Sequence, residues 1–127
     1  MSGATSFSSL LVSCSADEHG NRVLVDALAV LGSLQVTSEG EVVSCLREHT
    51  YDVVVVDAGA VTRAPDVVSL IRQVDARAQV VVVTAAPHWK IARAVFQAGA
   101  IEYMSKYMGK NEMVKRFRQL LSHDLDR

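Results

Sequence analysis

The chain has 127 residues, of which 50% are hydrophobic, and its formal net charge is −1. This length and composition fit one domain with a substantial core, and the near-neutral charge gives no general attraction to nucleic acid or membranes. The sequence lacks an apolar run of the roughly 18 residues needed for a membrane span, and residues 1–9 lack the features of a signal peptide. Cys14 and Cys45 do not form a metal-ligand pattern, so they are interpreted as reduced thiols of a cytoplasmic protein.

Short β-branched runs alternate with stretches of helical periodicity, which is typical of βαβ units and a parallel sheet. The strands are predicted at residues 10–13, 34–37, 53–56, 80–83 and 101–104. The helices are predicted at residues 16–31 with Gly32 as the stop, at 39–48, from about Pro65, from about Pro87 to Gly99, and from an N-cap at Asn111 to Leu121. A single domain over residues 1–127 is expected, with loose tails at 1–9 and 123–127.

Polar side chains follow three successive predicted strands. Asp57 follows four valines, Thr84 follows four more, and Lys106 comes after the fifth strand. A carboxylate is costly in an apolar core, so its stable place is the open carboxyl edge of the sheet, where ligand sites of α/β folds collect. We therefore expect an ionised, exposed Asp57 close to a hydroxyl and an ammonium group, in a site that handles a phosphoryl group.

These residues resemble the receiver domain of two-component response regulators, and the resemblance covers nearly the whole chain. The matching residues are Asp57 at the end of strand 3, Thr84 followed by alanine, Ala98-Gly99-Ala100 before strand 5, Tyr103 within it and Lys106 after it. The resemblance implies a flavodoxin-like, doubly wound, five-stranded parallel sheet of order 2-1-3-4-5 in a three-layer sandwich. It also implies that Asp57 accepts a phosphoryl group, that Thr84 and Lys106 hold it, and that Tyr103 relays the change.

The partners and activity follow from the same resemblance. It implies a phosphorelay signalling domain that receives its phosphoryl group from a histidine kinase or phosphotransfer protein. The domain would not be an enzyme, beyond slow self-dephosphorylation at most. Its switching face would comprise the fourth helix, the fifth strand and the fifth helix, and would include Trp89, Lys90, Arg93, Tyr103 and Tyr107, with homodimerisation through this face an option. We expect neither a nucleic acid nor a membrane partner for this domain.

The metal side of the site departs from the family pattern. Two acidic residues usually follow strand 1 and hold Mg²⁺, whereas this chain has Ser13-Cys14-Ser15-Ala16. Asp57 and the backbone carbonyl of Gly59 remain as ligands, with Asp17 or Glu18 as an uncertain third. The spacing from Ser15 to Glu18 also fits a helix capping box, which is the favoured interpretation. Mg²⁺ binding is therefore expected to be weak, and no other cofactor is expected.

A second function fits the same residues. The lost acidic pair favours a pseudo-receiver, a protein-interaction module that keeps the fold and does not depend on phosphorylation. The retained Asp57, Thr84 and Lys106 favour the phosphoacceptor. The phosphoacceptor is the leading hypothesis and the pseudo-receiver is the alternative, and the sequence does not identify the downstream output.

Overall fold

The computed structural model describes residues 6–13 and 21–125, and the side chains among them up to residue 122. Five parallel strands form one sheet of order β2-β1-β3-β4-β5. The strands are β1 (Phe7–Val12), β2 (Gly32–Thr37), β3 (Val53–Asp57), β4 (Val80–Thr84) and β5 (Glu102–Ser105). The α-helices are α1 (Arg22–Leu31), α2 (Val42–Glu48), α3 (Ala64–Val74), α4 (Trp89–Ala98) and α5 (Lys110–Leu125), and a short 3-10 turn covers Ala58–Ala60. The predicted fold and strand order are confirmed.

The valine runs of β3 and β4 explain the three layers. Each run is buried on both faces, as expected for the centre of a parallel sheet. Val54 and Val56 pack in a cluster that includes residues of α2, α3 and α4. Val53 and Val55 pack on the other face, in a cluster with residues of α1 and α5. The alternation of side chains along each strand thus divides the core into two halves.

Several predicted boundaries were wrong. Strand β1 begins at Phe7, so residues 7–9 belong to the sheet and not to a loose tail. Helix α5 begins one residue before the predicted N-cap Asn111 and continues to Leu125, beyond the predicted end. Helix α2 begins at Val42 and α4 at Trp89, each later than predicted. Tertiary packing sets these ends, while local patterns locate the element centres.

Gly32 lies at a close approach between two elements. It ends α1, opens β2 and has φ of 153° with ψ of −142°, a conformation that favours glycine. A Cβ placed there would lie 2.2 Å from the backbone oxygen of Phe7. The glycine therefore lets α1 turn directly into an edge strand that pairs with β1. No helix among the described residues is long and apolar enough to span a membrane.

Candidate functional site

The register of the sheet brings the predicted site residues to one edge. Val12 pairs with Val56, Asp57 with Val83, and Thr84 with Ser105. Ser13 and Lys106 directly follow the outer members of this row. The carboxyl ends of β1, β3, β4 and β5 therefore surround Asp57, which is the arrangement that the sequence pattern predicts.

The Asp57 carboxylate is buried and receives polar contacts on both oxygens. Its Oδ1 accepts a hydrogen bond from the Gly59 backbone N–H at 3.1 Å and lies 2.8 Å from Lys106 Nζ. Its Oδ2 accepts a hydrogen bond from the Ser13 hydroxyl at 3.0 Å. Asp57 is 3% exposed and Lys106 is 8% exposed. The prediction of an exposed carboxylate was therefore wrong: the ammonium group and two neutral donors satisfy the charge inside the protein.

Asn21 is a member of this site that the sequence analysis missed. Its Nδ2 group donates a hydrogen bond to the Ser13 oxygen at 2.8 Å, and both side chains are buried. With its oxygen accepting from Asn21, the Ser13 hydroxyl directs its proton to Asp57. The one sequence feature that indicated a different environment for Asp57 was Ser13 in the stretch where the family has acidic residues. Nothing in the sequence places Asn21, eight positions later, beside it.

The two predicted switch residues make contacts away from the carboxylate. The Thr84 hydroxyl accepts a hydrogen bond from the Ala86 N–H at 3.1 Å, and the Thr84 carbonyl accepts one from the Lys106 N–H at 2.8 Å. The Tyr103 hydroxyl accepts a hydrogen bond from the His88 N–H at 3.2 Å. His88 is the N-cap of α4 and accepts a bond from the Lys90 N–H. Tyr103 thus connects β5 to the start of α4.

Solved structures share this architecture along almost their full length. A response regulator from Thermotoga maritima superposes with a TM-score of 0.81 at 20% identity, covering 92% of this chain and 98% of the other. The receiver domain of an HD domain-containing protein from Pseudomonas fluorescens Pf-5 gives a TM-score of 0.80 at 21% identity, with coverages of 96% and 99%. A CheY-like receiver domain protein from Methanospirillum hungatei JF-1 gives 0.79 at 12% identity, with coverages of 96% and 98%. The chain has the receiver-domain fold.

Comparisons of the sequence alone found no match. No protein-family model and no curated protein matches the chain. The structural matches above are all below 25% identity, so they establish the receiver fold alone. The chemistry of the site must be argued from the residues that form it.

The described part of the site offers a magnesium ion few ligands beyond Asp57. Mg²⁺ prefers an octahedron of oxygen ligands, and the contacts of Asp57 already occupy part of the acceptor capacity of its two oxygens. Gly59 contributes its N–H to Asp57. The described ranges contain no group of three or more His, Cys, Asp or Glu residues that could hold a metal ion. The other predicted ligands, Asp17 and Glu18, lie outside the described residues, as does the predicted capping box.

The predicted switching face of the receiver fold carries exposed aromatic residues. Trp89 is 66% exposed at the start of α4, and Tyr107 is 75% exposed after β5. Ile91 and Phe96 of α4 are also exposed, and Val95 is the buried residue of this helix. Lys90 Nζ lies 5.7 Å from the centroid of the Trp89 ring. The helix therefore presents an apolar surface with a positive charge beside it.

Proposed function

We propose that this receiver-fold domain is a protein-interaction module that works without phosphorylation, with Asp57 as a structural residue of a closed pocket. The observation that carries the proposal is the hydrogen bond from Ser13 to Asp57 Oδ2, which Asn21 supports. A phosphoryl acceptor needs a free carboxylate oxygen and a divalent cation to neutralise charge between donor and acceptor. Here a neutral hydroxyl covers one carboxylate oxygen, and the other is paired with Lys106.

The interaction function rests on the exposed side chains of α4. Trp89 and Phe96 lie seven positions apart and so share one face of α4, and a partner that covers them would remove a large aromatic area from water, which favours association. Exposed aromatic residues that share one face of a helix commonly mark protein-protein contact sites. The proposed partner is a protein with an apolar docking surface and an acidic group for Lys90, and a second copy of this chain is one version of it.

The phosphoacceptor is the second candidate function, and a specific contact favours it. Lys106 Nζ lies 2.8 Å from Asp57 Oδ1, where an ammonium group could also meet a phosphoryl oxygen. Thr84 stands on the neighbouring strand end with a hydroxyl group. In this version a histidine kinase or phosphotransfer protein supplies the phosphoryl group, and weakly bound Mg²⁺ assists.

One titration separates the two candidates. Backbone NMR spectra of the intact chain would be recorded with millimolar Mg²⁺ and then with beryllofluoride, and intact mass would be measured after incubation with acetyl phosphate. We expect no shifts at Asp57, Thr84 or Lys106 and no phosphorylated species. Labelling that Asp57→Asn abolishes and the exposed control Asp66→Asn preserves would overturn the proposal and establish the phosphoacceptor.

A gain-of-function variant tests the stated reason. Ser13→Asp restores a carboxylate next to Asp57, so Mg²⁺ should bind more tightly to this variant, because a pair of carboxylates attracts the ion. The variant should also lose stability without the ion, through repulsion between two buried acids. If Mg²⁺ affinity stays unchanged in Ser13→Asp, the Ser13 hydroxyl is not what excludes the metal.

A further inference from the structure

A cavity of about 1010 Å³ lies at the edge of the sheet opposite Asp57. It is bounded by the end of α3 and the turn into β4, by the start of β5, and by α5. Its volume is at the upper end of the range for small-molecule sites, about 300–1,000 Å³. Ile101 and Leu120 contribute apolar surface, and three arginines contribute charge: Arg72, Arg77 and Arg116.

Arg72 is held in place from two sides. Its Nη1 group donates a hydrogen bond to the Ala78 carbonyl at 2.9 Å. Its side-chain stem lies against Gly99, where a Cβ would come within 3.1 Å of Arg72 Cγ and Nε. A guanidinium group has five N–H donors, so this anchoring leaves several of them for another acceptor. Holding the side chain in advance lowers the entropy lost when a ligand binds.

The cavity carries an excess of positive charge. Arg116 pairs with Glu102, which also lines the cavity, so one positive charge is balanced locally. The Arg77 side chain is exposed in the turn that precedes β4. Three guanidinium groups and one carboxylate leave two positive charges in excess, in a chain whose formal net charge is −1. The cavity is therefore one of the basic regions of a chain whose overall charge is slightly negative.

We propose that this cavity binds a small phosphate ester with an apolar or aromatic part, of the nucleotide class. Planar guanidinium groups recognise phosphate oxygens through paired hydrogen bonds, and three of them line this cavity from α3, from the turn before β4 and from α5. Ile101 and Leu120 offer the apolar surface for the rest of the ligand. The site is separate from Asp57, so ligand binding and the chemistry of that carboxylate can be tested independently.

Calorimetry and backbone NMR of the intact chain test this proposal, with ATP, pyrophosphate and a poly-glutamate peptide as probes at physiological salt. We expect saturable, one-to-one binding of ATP with shifts at Ala78 and Ile101. ATP should bind more tightly than pyrophosphate because its base and sugar can contact the apolar surface. Equal affinities would contradict the apolar part of the proposal, and binding of the peptide alone would overturn the small-molecule assignment.

A matched pair of variants separates the cavity from the general basic surface of α5. Arg77→Gln should weaken ATP binding about tenfold, the expected effect of losing a charged hydrogen bond. Arg118→Gln removes an exposed charge from α5 that does not line this cavity, and should leave the affinity unchanged. Equal weakening by both variants, or the absence of ATP and pyrophosphate binding, would overturn the proposal.

Discussion

The Ser13 hydroxyl donates a hydrogen bond to Asp57 Oδ2 at 3.0 Å, on the carboxylate oxygen that Lys106 does not contact. The two residues lie 44 positions apart and meet because β1 and β3 are neighbours in register. Burial of a carboxylate costs less free energy when donors contact both of its oxygens, as the Ser13 hydroxyl does on one and Lys106 with the Gly59 N–H does on the other. This relationship turns an expected open site into a closed polar cluster, and it can be tested by stability measurements.

The buried ion pair should dominate the stability of this cluster. Lys106→Ala leaves the Asp57 carboxylate without its counter-ion and should lower the free energy of unfolding by about 3–5 kcal/mol. Arg63→Ala is the control, because Arg63 and Asp66 form an ion pair with both side chains 71% exposed. That change should cost about 1 kcal/mol or less. Chemical denaturation measures both, and similar losses would show that the pair with Asp57 is not specially stabilising.

The hydrogen bonds from Asn21 to Ser13 and from Ser13 to Asp57 should be energetically coupled. Ser13→Ala removes the donor to Asp57 and the acceptor of Asn21, at an expected cost of about 1–3 kcal/mol. Ser33→Ala, at an exposed position of β2, should have almost no effect. A double-mutant cycle of Ser13→Ala and Asn21→Ala should give a coupling energy of about 0.5 kcal/mol or more. Strictly additive losses would contradict a connected chain of hydrogen bonds.

Tyr103 should restrain the start of α4. Tyr103→Phe removes the acceptor of the His88 N–H and should cost about 1 kcal/mol. Amide hydrogen exchange at His88 should become faster in this variant, since its N–H loses a protein acceptor. Tyr107→Phe removes a hydroxyl group from an exposed ring and should leave hydrogen exchange at the His88 amide unaltered. Unchanged exchange in Tyr103→Phe would mean that the hydroxyl does not hold this turn.

Tyr51 should make stability depend on alkaline pH. Burial raises the pKa of the Tyr51 hydroxyl above its ordinary value of about 10, and nearby Cys45 and Glu48 add to the rise. Because the folded state holds this proton more tightly than the unfolded state does, the contribution is fully present below about pH 10 and is lost as the pH rises through the folded-state pKa. Tyr51→Phe should therefore lose less stability than wild type above about pH 10 in denaturation series. Parallel curves for the two proteins would refute this.

Gly32 should be intolerant of any side chain. Gly32→Ala places a methyl group against the backbone of Phe7, in a conformation that other residues rarely adopt, and should cost about 2 kcal/mol or more. Gly40→Ala is the matched control, because a Cβ at Gly40 meets nothing within 4 Å. Thermal denaturation compares the two. A Gly32→Ala protein as stable as the Gly40→Ala protein would contradict the close approach of α1, β2 and β1.

The element centres could be read from the sequence with little tertiary information. The valine runs at 53–56 and 80–83 are β-branched and apolar on both faces, which only a central parallel strand accommodates. Gly99 ends α4 in the left-handed conformation, where the sequence predicts the end. Phe7 was missed as a strand residue because its neighbours are small and polar, and pairing with Gly32 is what extends β1.

The alternation of strands and helices, and the position of Asp57, Thr84 and Lys106 at one edge of the sheet, could be predicted from the amino-acid sequence, because both follow from local periodicity and from the direction of parallel strands. The surroundings of the Asp57 carboxylate, in contrast, depend on how the layers pack. The contacts of Ser13 with Asn21 and Asp57, the burial of Asp57, and the cavity that three arginines line at the opposite edge all depend on residues far apart in the sequence. Local sequence patterns contain no information on the distances between such residues, so the contacts between them are fixed only when the helices pack on the sheet.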